Sequence, residues 1–555
     1  MRFKQQISAC FRLLAVALVI AGVFATGRGV SASEQGPSTS IGAGLATPLR
    51  SSQTAQQPPA SPATPQAVGP TLAVTVEEAV RLALQNNLGL EAERLGPQAA
   101  AFDVAEARAA YAPDLFSVTT KSSSASPPSD FLTGTGAVIT SGGVRTTNGL
   151  AQAVPWGGGR YQVSFFGSRS TTTGFTGFNP ALRSTLDMSY VQPLLRGFKI
   201  DGLRNQLRLT RNAEQIADLD LRQRVTQVSR SARSAYYNLV STIAGLDLAQ
   251  QSLELSRELL RNNQRKVEVG TMAPIDITEA QAEVARLEES VIVAESQIRT
   301  AEDSLRMLLL NPSRPDFWTT QLVPAEQPTL EPKPIDVDAA ITNALQNRTD
   351  IAAVKKRLDS TDINMEFLRN QKLPEVNLQA SYGVVGLAGT QFQFGEGGFP
   401  PPVVSQTQRS FMDAVRDVLG NDFRSWSLQV NVNYPIGTST ADAALASARV
   451  RRQQQQTNLR ELEMAVTAQV RDAGRQVTTS LQRVQSTRTA RELSEKRLAA
   501  EEKRLEVGLS DTFRVFQTQR DLTAAKRAEL QAILDYNVAL VNFEAVQTVP
   551  LFGGQ

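Results

Sequence analysis

Histidine is absent from all 555 residues, which removes at once the commonest general base, the commonest metal ligand and any Ser-His or Cys-His pair. The single cysteine, Cys10, falls in an N-terminal leader, so the remainder is expected to carry neither a disulfide nor thiol chemistry. Gly157-Gly158-Gly159 has the composition of a phosphate cradle but lacks the strand-to-helix setting, and no GxxxxGK occurs. Adjacent carboxylates such as Glu288 and Glu289 lie in a helical run rich in charge, where solvation accounts for them. The chain therefore reads as non-enzymatic, without cofactor or metal. With 57 basic and 54 acidic residues the net charge is +3, and the two signs alternate along helices, which argues against a nucleic-acid surface.

The informative residues are instead a turn written twice. Lys266 opens KVEVGTMAPIDITEAQAEV and Arg504 opens RLEVGLSDTFRVFQTQRDL, each placing a glycine between two heptad-patterned runs. The repeat extends further, since TVEEAVRLALQNN from Thr75 matches DVDAAITNALQNR from Asp336, and YAPDL ending at Leu115 matches KLPEV ending at Val376. Two copies of one helix, strand and helix unit are predicted.

The elements that must position these turns are long helices. From Val225 through Val228, Ala232, Ala235, Leu239, Thr242, Leu246, Ala249, Leu253, Ser256, Leu260 and Asn263 to Val267 the small and apolar residues recur in threes and fours, a coiled-coil seam. Val284 to Leu308 continues the pattern, and Leu522 to Val546 repeats it with one misfit, Glu529. Helices over Arg204–Glu268 and Thr440–Glu506 would each be about 100 Å long, whereas Ile275–Leu310 and Thr512–Gln547 reach only about 54 Å. Two further half-length helices, Val76–Tyr111 and Val337–Lys372, complete the rod. The second is expected to stack on Ile275–Leu310 and the first on Thr512–Gln547, so that the chain ends meet at mid-height.

Away from the turns the period changes to two. Trp426, Leu428, Val430, Val432 and Tyr434 alternate with Ser427, Gln429, Asn431 and Asn433, and Val376, Leu378, Ala380 and Tyr382 alternate with Asn377, Gln379 and Ser381. Phe116 and Val118, then Leu186, Met188 and Tyr190, give weaker versions. Strands of about nine residues with aromatics near their ends fit a tilted crossing of a bilayer. Four strands cannot close alone in lipid, where unpaired edges are prohibitively costly, so oligomerisation is expected. The intervals Pro113–Pro193 and Pro374–Pro435 exceed what simple hairpins need. Tyr161, Val163 and Phe165 read as part of an added hairpin near 151–170 that either widens a barrel or stands outside it. FMDAVRDVLG reads as a short helix in an extracellular loop.

At the N-terminus, Arg2, Lys4 and Arg12, the apolar run Leu13–Ala25 and Val30-Ser31-Ala32 form the three parts of a secretory signal, with cleavage expected before Ser33. The predicted division is 1–32 signal peptide, 33–74 disordered Pro/Ala/Ser/Gln-rich segment, 75–311 first repeat, 312–335 Pro-rich equatorial linker and 336–551 second repeat. Strands and loops are placed at about 113–195 and about 374–436.

The export signal, the duplication, the turns EVGTMAPIDITEAQ and EVGLSDTFRVFQTQ, and the strand-ending VQPLLRGF and VNYPIG together resemble the TolC family of outer-membrane efflux proteins, from about Thr75 to Leu551. The resemblance implies a mixed α and transmembrane-β fold: a homotrimer with a twelve-strand barrel, four strands from each subunit, over a long periplasmic tunnel of coiled-coil helices. It implies a passive exit duct of a tripartite efflux pump or type I secretion system in the outer membrane of a Gram-negative-type envelope. Its partners would be outer-membrane lipid, a periplasmic adaptor and an inner-membrane transporter of the RND, ABC or MFS type. Carried onto this chain, Gly270, Thr271, Met272, Ala273 and Pro274, with Gly508, Leu509, Ser510 and Asp511, form the adaptor-docking tip. Tyr190, Tyr382, Trp426 and Tyr434 become the membrane-strand aromatics.

Family members narrow the periplasmic aperture with acidic residues six and nine positions beyond the glycine. This chain keeps Asp276 and Glu279 in the first copy but has Arg514 and Gln517 in the second. An acidic ring and a ring of Arg514, partnered by Asp276 or Asp511, are the two alternatives. The rival from another class is a periplasmic coiled-coil scaffold or adaptor without a pore. It leaves the alternating strands and the two-copy organisation without a purpose.

Overall fold

The computed structural model describes residues 70–127, 138–271, 273–326, 330, 332–397, 401–437 and 439–549. The expected signal peptide and most of the Pro-rich segment lie outside these residues, as does Met272. In chain order the elements are β1 (Thr71–Val74), α1 (Val76–Asn86), α2 (Leu88–Ala109), β2 (Asp114–Ser126), β3 (Ile139–Ala153), β4 (Arg160–Thr172), β5 (Phe178–Pro193), α3 (Gly202–Glu268), α4 (Ile275–Leu309), β6 (Gln321–Pro324), α5 (Val337–Asn347), α6 (Thr349–Gln371), β7 (Glu375–Phe394), β8 (Val403–Arg409), α7 (Phe411–Gly420), β9 (Arg424–Asn433), α8 (Thr440–Glu506) and α9 (Thr512–Val546). Thr71–Val74 was expected to belong to the disordered segment; it is a strand paired in parallel with β6.

The long helices follow the periodicity closely. α3 and α8 each have 67 residues, and α4 and α9 each have 35. Seam residues Val228, Ala232, Leu239, Leu253, Ser256 and Asn263 of α3 are buried, as are Leu287, Ala301 and Leu305 of α4. The misfit Glu529 is only partly exposed because it forms an ion pair with Arg491 of α8. Asp201 starts α3 by accepting from the Arg204 amide at 2.7 Å, and Ser439 with Asp442 forms a capping box on α8.

The two half-length helices are each broken once. Asn87 is extended between α1 and α2, and its side chain accepts from the Leu90 amide at 3.0 Å, ending one helix and capping the next. Arg348 is extended between α5 and α6, with its guanidinium fully buried against Asp350 (2.7 Å), Gln469 (3.0 Å) and the Val546 carbonyl (3.1 Å).

The stacking is the reverse of the expectation. Asn86 Nδ2 donates to the Leu309 carbonyl at 2.8 Å, so α1 sits on α4, and the Thr349 amide donates to the Thr548 carbonyl at 3.1 Å, so α6 meets the end of α9. Side-chain packing explains this. Ala79, Ala83 and Leu90 share a core with Ala232, Tyr236, Leu239, Leu305 and Leu309, while Ala340, Ala344 and Ile351 share another with Val466, Val470, Val477, Tyr536 and Phe543. Each copy completes its own helical layer, and the linker carries the chain between them. Two buried tyrosines pin that linker: the Glu326 amide donates to the Tyr236 hydroxyl at 3.2 Å and the Lys333 amide to the Tyr536 hydroxyl at 3.1 Å.

The sheet is larger than four strands. Its seven strands run in the order β2-β3-β4-β5-β7-β8, with β9 also on β7. The added hairpin, β3 and β4, lies inside the sheet between β2 and β5, all pairs antiparallel. β8 pairs with Gly389–Phe394 and β9 with Glu375–Val384, so they share one side of β7 in succession. Between them α7 lies on the sheet rather than in a free loop: a Cβ on Gly386 would come within 1.9 Å of the Ala414 carbonyl oxygen.

Register fixes the faces, because directly opposed residues point the same way. One row reads Leu115, Leu150, Val163, Met188, Tyr382 and Trp426 across β2, β3, β4, β5, β7 and β9. Leu186 and Tyr190 share this face. Asp187, Ser189, Gln379, Ser381, Ser427 and Gln429 take the other. Phe116 and Val118, expected with the apolar set, register with Gly149 and Thr147 on the polar side.

Candidate functional site

At one end of the rod the two glycines do what their surroundings require. Gly270 has φ +78° and Gly508 φ +75°, the left-handed conformation that ends a helix at little cost only for glycine. The Thr271 and Leu509 amides each donate at 2.8 Å to the carbonyl five residues back, on Lys266 and Arg504. The Gly270 amide donates to Val267 (3.0 Å) and the Gly508 amide to Leu505 (3.1 Å), so both turns close with the same pair of bonds.

Beyond the glycines the copies differ. Pro274 occupies the position before α4 with no side-chain cap, whereas Asp511 caps α9 by accepting from the Arg514 amide at 2.8 Å. Ser510 takes no part in that cap and donates to Glu501. That bond, and after it the Arg504 guanidinium, holds the Glu501 carboxyl below the usual carboxylate range. Thr271, Ala273 and Pro274 are exposed.

Sequence reasoning missed the apolar character of the tip. Val269, Ile275, Val507, Leu509 and Phe513 are 74%, 63%, 69%, 77% and 55% exposed, large apolar groups on either side of both glycine turns. The signal was available, since a valine precedes the glycine in both copies.

Of the residues expected at the aperture, Asp276 accepts from the Thr512 hydroxyl at 2.7 Å, tying the start of α4 to the start of α9. Arg514 Nε lies 4.0 Å from Asp511 on its own helix, so of the two partners considered it is Asp511 that stands beside it, and this pair is exposed. Glu279 and Gln517 are exposed. An unforeseen residue, Glu283, is nearly buried, receives a bond from Arg286 Nε at 3.0 Å and faces Arg520 of α9 at 3.7 Å. It thus continues the α4–α9 contact that Asp276 begins.

At the opposite end three of the four aromatics share one level of the sheet, with Tyr382 opposite Trp426 and Tyr190 opposite Ala380, and Tyr434 lies just past the end of β9. Trp426 and Tyr434 are 76% and 59% exposed, and the eight residue steps from one to the other span about 27 Å of extended chain. At a tilt of about 40° this is about 20 Å along a membrane normal, close to the apolar band of an outer-membrane barrel. Tyr382 donates to Asn421 Oδ1 at 2.5 Å, tying β7 to the left-handed residue that ends α7, and Tyr190 donates to Gln192 at 2.5 Å. Gly157 and Gly158 form the β3–β4 turn at the foot of the sheet, where the Gly157 carbonyl accepts from Gln192 Nε2 at 2.7 Å. Among the described residues no helix is long and apolar enough to cross a membrane, and no cluster of metal-ligating side chains occurs.

Several solved structures share this architecture. The chain is 14% identical to the Campylobacter jejuni CmeC outer membrane channel, with a TM-score of 0.61, covering 85% of each chain. It is 16% identical to the open Neisseria gonorrhoeae MtrE outer membrane channel, with a TM-score of 0.58, covering 85% of this chain and 89% of that one. It is 15% identical to the Vibrio cholerae outer membrane protein VceC, with a TM-score of 0.59, covering 85% and 96%. No curated protein sequence matches. Residues 162–309 and 340–546 match the outer membrane efflux protein family, which takes in both long helices of each copy, both glycine turns and most of the sheet. On that match, spanning more than half its length, the chain belongs to the outer membrane efflux protein family, the TolC-type channels of coiled-coil helices and β-barrel.

Proposed function

We propose that three copies of this chain close into one duct, with the sheets forming a barrel in the outer membrane and the helices a periplasmic tunnel. It serves as the passive exit of a tripartite efflux pump or type I secretion system. The observation that carries this reading is the division of labour along the molecule. A sheet with an apolar face and, among the described residues, unpaired edges stands at one end, and paired glycine turns with exposed apolar residues stand at the other. The tip residues Gly270 to Pro274 and Gly508 to Asp511, with Val269, Val507 and Phe513, are the docking surface for a periplasmic adaptor. Energy comes from the inner-membrane transporter, so the duct itself has no catalytic group.

The aperture is lined from α9, and Arg514 contributes cationic charge there. Asp276 holds the two helices together through Thr512 rather than facing the passage. Membrane fractionation tests the reading as a whole: heat-modifiable trimers in detergent-extracted outer membrane support it, and recovery as soluble periplasmic protein favours a poreless scaffold. Loss of resistance to toxic compounds in a deletion strain, restored by the intact gene, identifies the cargo class.

A further inference from the structure

We infer that the barrel is built from eighteen strands, six staves per copy, and not from the twelve of the expected four-per-copy design. The sheet provides β2, β3, β4, β5 and β7 as five staves, and β8 and β9 in succession provide the sixth. The hairpin β3–β4 is paired on both sides along all but the last two residues of each strand. β3 opposes β2 from Ile139 to Ala151, and β4 opposes β5 from Arg160 to Ser170. Removing it from the wall would sever twenty-four registered residue pairs without supplying a substitute.

Two sides of the sheet remain unpaired among the described residues, the edge of β2 and that of the stave made by β8 and β9. In hydrocarbon each unpaired amide and carbonyl costs several kcal/mol, so both edges need a partner strand. A second copy of this chain fits. Because successive staves are antiparallel and their number is even, β2 of one copy and β9 of the next run in opposite directions and can form an antiparallel seam. The two edges are of similar length, 13 and 10 residues.

Width follows from the count. With strands about 4.7 Å apart and tilted by about 40°, eighteen strands give a backbone diameter of about 35 Å against about 24 Å for twelve. A barrel of this size leaves an open aqueous lumen, so the restriction on passage falls to the helical end. This inference rests on the three-fold duct reading above.

Single-particle imaging of the detergent-extracted full-length protein tests it. A three-fold particle with a barrel about 35 Å across supports the inference, and a three-fold particle about 24 Å across, with the hairpin outside the wall, overturns it. A particle without three-fold symmetry overturns the duct reading itself, which is a separate failure. Cysteine pairs give a second measurement in a Cys10→Ser background. Thr120→Cys combined in turn with Ser425→Cys, Ser427→Cys, Gln429→Cys or Asn431→Cys, all on the polar face, should cross-link between copies in one register. Thr120→Cys cross-linking instead to Arg183→Cys within a copy would place β2 directly against β5 and refute the six-stave wall.

Discussion

Replacing Gly508 by alanine isolates the conformational cost of the tip. The residue has φ +75°, and a Cβ built on it meets nothing within 4 Å, so alanine adds no clash. The whole penalty is therefore that of holding an L-residue in the left-handed region, about 1–2 kcal/mol. It falls on the two bonds that close the turn, from the Gly508 amide to Leu505 (3.1 Å) and from the Leu509 amide to Arg504 (2.8 Å). Opening of this turn should become about 5–30-fold more frequent. Amide hydrogen exchange on peptides spanning 505–511 of the solubilised protein reads this directly, and Gly270→Ala should act alike at Thr271. Gly508→Asn should exchange more slowly than Gly508→Ala, since asparagine tolerates this conformation. Unchanged exchange in the alanine variant, or an asparagine variant as fast as alanine, would refute the reasoning.

Gly386→Val should pry α7 from the sheet, because the clash at 1.9 Å is with backbone of Ala414 and cannot be relieved by a rotamer. Exposing Val415 and Val418 costs about 3–6 kcal/mol locally, read as faster tryptic cleavage after Arg409 and Arg416; unchanged resistance argues against the seat. Arg348→Ala leaves Asp350 and the Val546 carbonyl unpaired at the joint of α6 and α9, costing about 3 kcal/mol, and Arg348→Lys should recover only part of the lost thermal stability. Lys372, 2.7 Å away, and then Ser439 hold the Asp442 carboxyl at about 2, below its ordinary 3.8. A lowered folded-state value stabilises above about pH 4 and most of the benefit is lost as pH falls towards 2, so Lys372→Met should loosen the start of α8 at pH 7 and have a much smaller effect at pH 2. An effect of equal size at both pH values would contradict this. Arg514→Glu should shift the ion selectivity of the reconstituted channel towards cations, and unchanged selectivity would place Arg514 outside the passage.

The helices were legible almost to the residue because their signals are local. Three-four spacing marks the seams, and a glycine marks each reversal. The doubled turn and the alternation of β7 and β9 were legible for the same reason, and they sufficed to reach the family. The breaks at Asn87 and Arg348 were missed although TVEEAVRLALQNN and DVDAAITNALQNR end on them, and only the packed surroundings show Arg348 reaching three elements at once. At the tip, the glycines and Asp511 were readable as types. That Asp276 bonds to Thr512, while Arg514 stands beside Asp511, depends on which helices lie side by side.

The sequence by itself determined the long helices, the alternating strands and the glycine turn written twice, since periodicity, caps and turns are properties of neighbouring residues. Only the tertiary structure decided that α1 stacks on α4 and α6 on α9, that β3 and β4 stand within the sheet, and that α7 lies against Gly386. Those are pairings between residues far apart in the chain. A helix face or strand edge shows that it needs a partner, but which partner it takes is settled by the packing of the whole.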